Sequence, residues 1–330
     1  MRAFAATMAL ATALLLVAVV LAALLGTEHI SLVRALQDAA SIDRTILFEV
    51  RLPRIALAGL AGGGLAAVGV AFQALLRNPL AEPYVLGVSG GAALGATLAI
   101  VLGAGWLGAW GAAVIPASAL AGGVAATALV YAVARSGSET SGTSILLAGV
   151  IVNAIAGALI TALKTLVSAS KAQELLFWLM GFIDVPSATT LSVLGAYVAI
   201  GSGVLLADAG RMNLLSLGDE SAKHLGVDVT ALERRVFLAC SLVVGAIVSV
   251  TGLIGFVGLV VPHALRRVIG PDHRVLLPAS LIVGAAMLVL CDMIARASFQ
   301  WLGTEPPVGA VTAIVGGPVF LALLRRRGAE

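Results

Sequence analysis

The sequence predicts an all-α polytopic membrane protein with ten transmembrane helices, folded as one domain over residues 1–330. Three observations carry that expectation. First, the chain is 60% hydrophobic and only 11% charged, with a mean hydropathy of +1.08, whereas soluble domains carry about 25% charged residues. A chain this apolar cannot cover itself with polar surface, so lipid must be its solvent. Second, its apolar runs are roughly 20 residues long and unalternated, the length of a bilayer-crossing helix and not of a barrel strand. Third, in lipid each backbone amide needs a partner inside the protein, which leaves helices once barrels are set aside.

The first run, 4–25, follows Arg2 and is longer than the 7–15 residues of an ordinary signal core, so it is read as a retained span. Arg51-Leu52-Pro53-Arg54 opens the second run, 55–76. This run breaks at Arg77-Asn78-Pro79-Leu80-Ala81-Glu82-Pro83, a polar corner stiffened by proline. The third, 84–104, resumes through Leu86-Gly87-Val88-Ser89-Gly90-Gly91-Ala92, and runs at 106–134, 144–167 and 187–207 follow. The stretch 236–265 carries no charge and suits neither one span nor two full ones. A turn back near Gly252 and Gly255 divides it into 236–252 and 253–268, and runs at 275–295 and 307–324 complete ten. With that parity both termini are cytoplasmic, together with thirteen of the twenty Lys and Arg residues, as the positive-inside bias requires. Gly59 and Gly63, and Gly87, Gly91 and Gly95, stand four apart, a spacing that lets helix backbones approach closely in lipid.

Polar chemistry gathers at the ends of the spans. Arg34, Arg44, Arg51 and Arg54 crowd the first outer loop, with Arg296 on another outer edge. They breach the positive-inside pattern, and either neighbouring acids neutralise them or they form a docking surface for an acidic partner. The longest cytoplasmic segment, 208–235, holds Leu217 to Gly226, a short helix between glycine breaks. It needs headgroups or a soluble partner to lie against, and its acids disfavour anionic headgroups.

Several functions are disfavoured. The sequence contains no phosphate-cradling G-x-x-x-x-G-K-[ST] loop, so any ATP-driven step is powered by another subunit. An ion-coupled carrier needs ionisable groups in mid-membrane. Lys164 and Asp292 lie near outer ends instead, and Asp292 stands four residues before Arg296, a spacing for mutual pairing. His29, His224, His263 and His273 are too dispersed for a metal site, and Cys240 and Cys291 fall in apolar runs as buried thiols. Basic residues interleaved with aromatics are missing, which argues against nucleic acid. Gly87-Val88-Ser89-Gly90 matches the G-x-S-G of membrane-embedded serine proteases, with His263 as its candidate base. In a chain so rich in small residues that match is weak.

Taken together, several segments resemble the permease subunits of type II ABC importers for iron–siderophore, haem and cobalamin. They are Arg51 to Arg54, Gln73 with Arg77 to Pro83, Leu86 to Ala92, Leu146-Leu147-Ala148-Gly149-Val150, Phe177-Trp178-Leu179-Met180-Gly181, Leu217 to Gly226, Gly255 to His263, and Glu305 through Phe320. The resemblance implies a ten-helix subunit working as a homodimer in the bacterial inner membrane. Two cytoplasmic ATP-binding subunits and a periplasmic substrate-binding protein complete it, with ATP and Mg bound by the ATPase and no cofactor in this chain. It further implies that Arg51, Arg54 and Arg296 meet acidic residues of the binding protein. Asn78, Thr143 and Ser144 are implied to form the cytoplasmic gate, and Gly218, Ala222, Leu225 and Gly226 to belong to the segment that couples to the ATPase. Two departures stand out: Glu305-Pro306-Pro307 in place of Glu-Leu-Pro, and Gly181-Phe182-Ile183-Asp184 in place of a small glycine-rich run. They weaken any inference about cargo and leave the class intact.

Overall fold

A computed structural model describes residues 2–103, 111–134 and 142–325, and these residues contain no strand. Helix α1 (Arg2–Leu24) leads into two short helices, α2 (Leu32–Gln37) and α3 (Ile42–Thr45). A π-helical turn (Ile46–Arg51) then feeds α4 (Leu52–Leu75) without a break. Beyond the polar corner, a 3-10 turn (Pro83–Leu86) precedes α5 (Val88–Val101), α6 (Gly111–Ala134), α7 (Gly142–Thr165) and α8 (Ala169–Met180). The order continues with α9 (Ala188–Leu215), α10 (Asp219–His224), α11 (Val229–Thr251), α12 (Val257–Ile269), α13 (His273–Leu302) and α14 (Val308–Arg325).

Each of the ten apolar runs holds one of these helices, but length alone does not make ten crossings. Seven described helical stretches are long and apolar enough to span a membrane. Helices α5 and α14 are shorter, and the 13 residues of α12 reach about 20 Å, short of a hydrocarbon core of roughly 30 Å. The charge-free stretch does turn back where the glycines stand: Gly252 ends α11 at φ 66°.

The stretch between the two long helices is shorter than 208–235. Helix α9 runs to Leu215 and α11 begins at Val229, leaving 216–228 between them. Asp208 explains the extension. Its carboxylate, almost fully buried, accepts from Arg235 at 3.0 and 3.1 Å and from Arg211 at 2.5 Å. With its charge matched across the two helices, neither has to end there. Asp228 then caps α11 by accepting from the Ala231 amide at 2.9 Å.

Helix α4 fills the centre, with every residue from Ala61 to Leu75 buried. It lies against α9, α11, α12 and α13. Glycine brings it that close. A Cβ on Gly69 would sit 1.8 Å from the Gly258 carbonyl oxygen of α12, and one on Gly62 2.3 Å from that of Gly284 in α13. Gly91 and Gly95 do the same between α5 and α6, whereas a Cβ on Gly59 would only make ordinary contact with the Ala285 Cβ at 3.9 Å. Backbone contact of this kind supplies the dispersion energy that holds helices together in lipid. Outer helices keep apolar faces exposed, such as Leu147, Ile151, Ile155 and Leu159 on α7 and Ile314 on α14, as a lipid-solvated protein requires. Cys240 and Cys291 are buried free thiols.

Candidate functional site

At the N-terminal end of α4 the arginines are turned inward. Arg51, Arg54 and Arg296 are 3%, 9% and 4% exposed. Arg51 donates to the carbonyls of Ala23 (2.7 Å), Leu24 (2.9 Å) and Glu28. Arg296 donates to those of Ala22 (3.1 Å) and Leu25 (3.3 Å). The last turn of α1 has carbonyls with no intrahelical partner and carries the negative end of the helix dipole, and two guanidiniums satisfy both needs. Asp292, fully buried, bridges the other pair. One oxygen accepts from Arg54 Nε at 2.9 Å and the other from Arg296 Nε at 3.0 Å. Arg54 also bonds Glu305, in the turn before α14. The cluster thus clamps α1, α4, α13 and the approach to α14.

At the other end of α4 the chain turns through Arg77, whose φ of 46° lies in the left-handed region. Its guanidinium bonds Asp219 at the start of α10. The Asn78 side chain accepts from the Leu80 amide at 2.9 Å, and its carbonyl accepts from Ala81 at 3.0 Å, which closes the turn. Glu82 accepts from the Phe256 amide at 2.8 Å and the Tyr84 hydroxyl accepts from Ile254. These two side chains serve backbone groups that the break between α11 and α12 leaves without helical partners. Burial pushes the Glu82 carboxyl above its usual range, against the pull of the Phe256 amide. Beside the corner opens a cavity of about 750 Å³ lined by Gln73, Arg77, His263, Arg266, Arg267 and His273.

Helix α10 is a six-residue helix between Gly218 (φ 109°) and Gly226 (φ 83°). Asp219 and Glu220 in its first turn and Lys223 and His224 in its last suit its dipole. Ala222 is fully buried in the chain's own core, while Leu217 and Leu225 are 63% and 57% exposed.

The FecCD transport family model matches residues 14–326. The chain belongs to the FecCD transport family. The cobalamin import system permease protein BtuC of Halobacterium salinarum is 44% identical over 284 residues, 86% of this chain and 74% of that protein. The hemin transport system permease protein HmuU of Yersinia pestis is 38% identical over 282 residues, 86% and 84% of the two chains. An inward-facing structure of a metal-chelate type ABC transporter superposes with a TM-score of 0.85 at 32% identity, covering 98% of this chain and 99% of that one. The FecCD chain is therefore an ABC transport permease, an all-helical multi-pass membrane protein.

The residues read from the sequence fall into three groups in this FecCD protein. Arg51, Arg54 and Arg296 do come together, as a buried clamp bonded to Asp292, Glu305 and the end of α1. Asn78 holds the corner. Ser144 is exposed at the start of α7, and Thr143 lies beside it with its side chain outside the described residues. Of the residues expected to couple to an ATPase, Gly218 and Gly226 break the chain and Leu225 faces outward, while Ala222 faces inward and seats α10 against its own protein. Leu217, which the sequence places at the start of this segment but not among its site residues, also faces outward. The sequence reading missed Asp219 and Glu82, whose partners are too distant in sequence to be read. Ser89 donates to the Tyr84 carbonyl at 3.0 Å, and His263 packs edge-on against Phe320 at 5.9 Å. Neither is arranged as a nucleophile with its base.

Proposed function

We propose that this chain is the membrane-spanning subunit of an ATP-driven importer of a metal chelate or tetrapyrrole, acting as a homodimer in the bacterial inner membrane with both termini cytoplasmic. All ten apolar helices act as spans, α5, α12 and α14 meeting partners inside the bilayer. Two ATP-binding subunits hold ATP and Mg and drive the cycle, and this chain carries no cofactor. A periplasmic binding protein delivers cargo. The import functions named for BtuC and HmuU support a large, partly apolar ligand and leave open which one.

The observation that carries this reading is the construction of α10. Two glycine breaks free it from the long helices, Ala222 anchors it, and Leu217 and Leu225 are left for a soluble partner to cover. Docking of the binding protein through Arg51, Arg54 and Arg296 requires exchange. A carboxylate from the partner would replace Glu305, the most accessible member of the cluster at 24% side-chain exposure.

The test is reconstitution in liposomes with the cognate ATPase and binding protein. Uptake should require ATP and survive collapse of the proton gradient. Leu217→Asp with Leu225→Asp should release the ATPase while the permease stays folded, whereas Ala222→Arg should unseat α10 and lower stability as well. Uphill accumulation without the ATPase would refute the proposal.

A further inference from the structure

Among the described residues, two that are not glycine have left-handed backbone, Arg77 at φ 46° and Phe256 at φ 69°. Such residues cost conformational energy and persist where the surroundings hold them. They are not scattered. Arg77 begins the corner that ends α4, and Phe256 begins α12, which packs on α4. The corner connects them. Arg77 bonds Asp219 of the coupling helix, Asn78 closes the turn, and Glu82 takes the Phe256 amide at 2.8 Å. Two residues on, Tyr84 takes the Ile254 amide through its hydroxyl, and its carbonyl accepts from Asn153 of α7. Phe256 in turn presses on α14, where a Cβ on Gly316 would sit 2.7 Å from the Phe256 Cβ.

We propose that residues 77–84 form a stiff link, jointed at Arg77 and Glu82, that transmits displacement of α10 to the α11–α12 break and to α14. This rests on the permease reading above and adds to it two positioning residues and a route. Coupling between distant sites needs a physical connection that both sites bias. The corner offers one made of a prolyl turn, two carboxylate contacts and two constrained backbones. A salt bridge at one end and a hydrogen bond at the other let force pass while α4, buried on nearly every side, stays in place.

The experiment uses the complete transporter, permease with its ATPase and binding protein, in nanodiscs. A spin label on Ile314→Cys reports α14. That position is 72% exposed, and the native Cys240 and Cys291 are buried against labelling. The inter-copy distance is measured by pulsed electron resonance with and without vanadate-trapped nucleotide. Nucleotide should change the distance in the otherwise unsubstituted complex. Arg77→Gly, which suits a positive φ, and Glu82→Leu should each abolish that change while the ATPase still co-elutes and hydrolyses ATP. Glu82→Gln keeps an acceptor for the Phe256 amide and should retain it, and Arg77→Asp combined with Asp219→Arg should restore it. A normal distance change in Arg77→Gly or Glu82→Leu overturns the link. Loss of ATPase binding in Arg77→Gly also overturns it, by making Arg77 a docking residue. If the complex without corner substitutions binds no ATPase or shows no nucleotide-dependent change, the permease reading itself fails and takes the link with it.

Discussion

Replacing Asp292 by Asn tests the arginine clamp most directly. The side chain keeps its shape and loses its charge. Asp292 is fully buried and accepts from two guanidiniums that are themselves 9% and 4% exposed. Neither arginine can turn to water without leaving α1 or Glu305. Breaking a buried pair by removing one partner typically costs about 3–5 kcal/mol, because the remaining charge is stranded. Here two charges are stranded, and Glu305 and the carbonyls at the end of α1 relieve them in part. We therefore expect a loss of about 3–5 kcal/mol. The assay is unfolding of the purified permease in detergent, followed by tryptophan fluorescence. Pairing Asp292→Asn with Arg296→Gln removes one charge of each sign, so the double variant should lose about 1–3 kcal/mol less than the sum of the singles, as expected for residues in one network. The reasoning is refuted if Asp292→Asn stays within 1 kcal/mol of the parent, or if the two losses simply add.

Two further expectations follow from the packing and the caps. Gly69→Ala would stabilise an ordinary helix interior by about 1 kcal/mol, but here the new methyl would lie 1.8 Å from the Gly258 oxygen. We expect destabilisation by about 1–3 kcal/mol or more from forced overpacking, so an unchanged or raised melting temperature would contradict the α4–α12 contact. Asp272 caps α13, and its carboxyl is held below the usual range by the Asn213 amide at 2.6 Å, then by the Arg274 amide and charge. Its contribution is full above the ordinary carboxylate pKa and is lost as pH falls through its lowered folded value. Asp272→Asn should flatten the acid side of the melting-temperature profile, and a parallel profile would remove that assignment.

How much of this was legible in the sequence depends on how far apart the partners stand. Helix positions were readable because a run of apolar residues is a local property, and so was the pairing of Asp292 with Arg296, four residues apart on one helix. The break at Gly252 was readable from parity and glycine. The inward turn of Arg54 was not, since its partners Asp292 and Glu305 stand 238 and 251 residues away. The excess of arginine at 34–54 has two explanations, an internal acid or an external one, and composition does not choose between them. The inward turn of Ala222 was hidden for a similar reason. A six-residue helix has too few turns for its pattern to say which face is covered, so the inward methyl and the outward leucines had to be seen.

The corner shows the deeper limit. Glu82 and Tyr84 act on backbone amides of Phe256 and Ile254, and a backbone amide leaves no mark in the sequence. What the sequence does carry is the need: a reversal between α11 and α12 inside an apolar chain must find partners for its exposed amides. The polar side chains that meet it belong to a loop that also touches α10 through Arg77. The same hydrogen bonds that make the reversal tolerable in lipid thereby connect it to α10. Under the proposed link, the contacts that satisfy the backbone also join the moving parts, so a substitution that disturbs the first should be felt in the second.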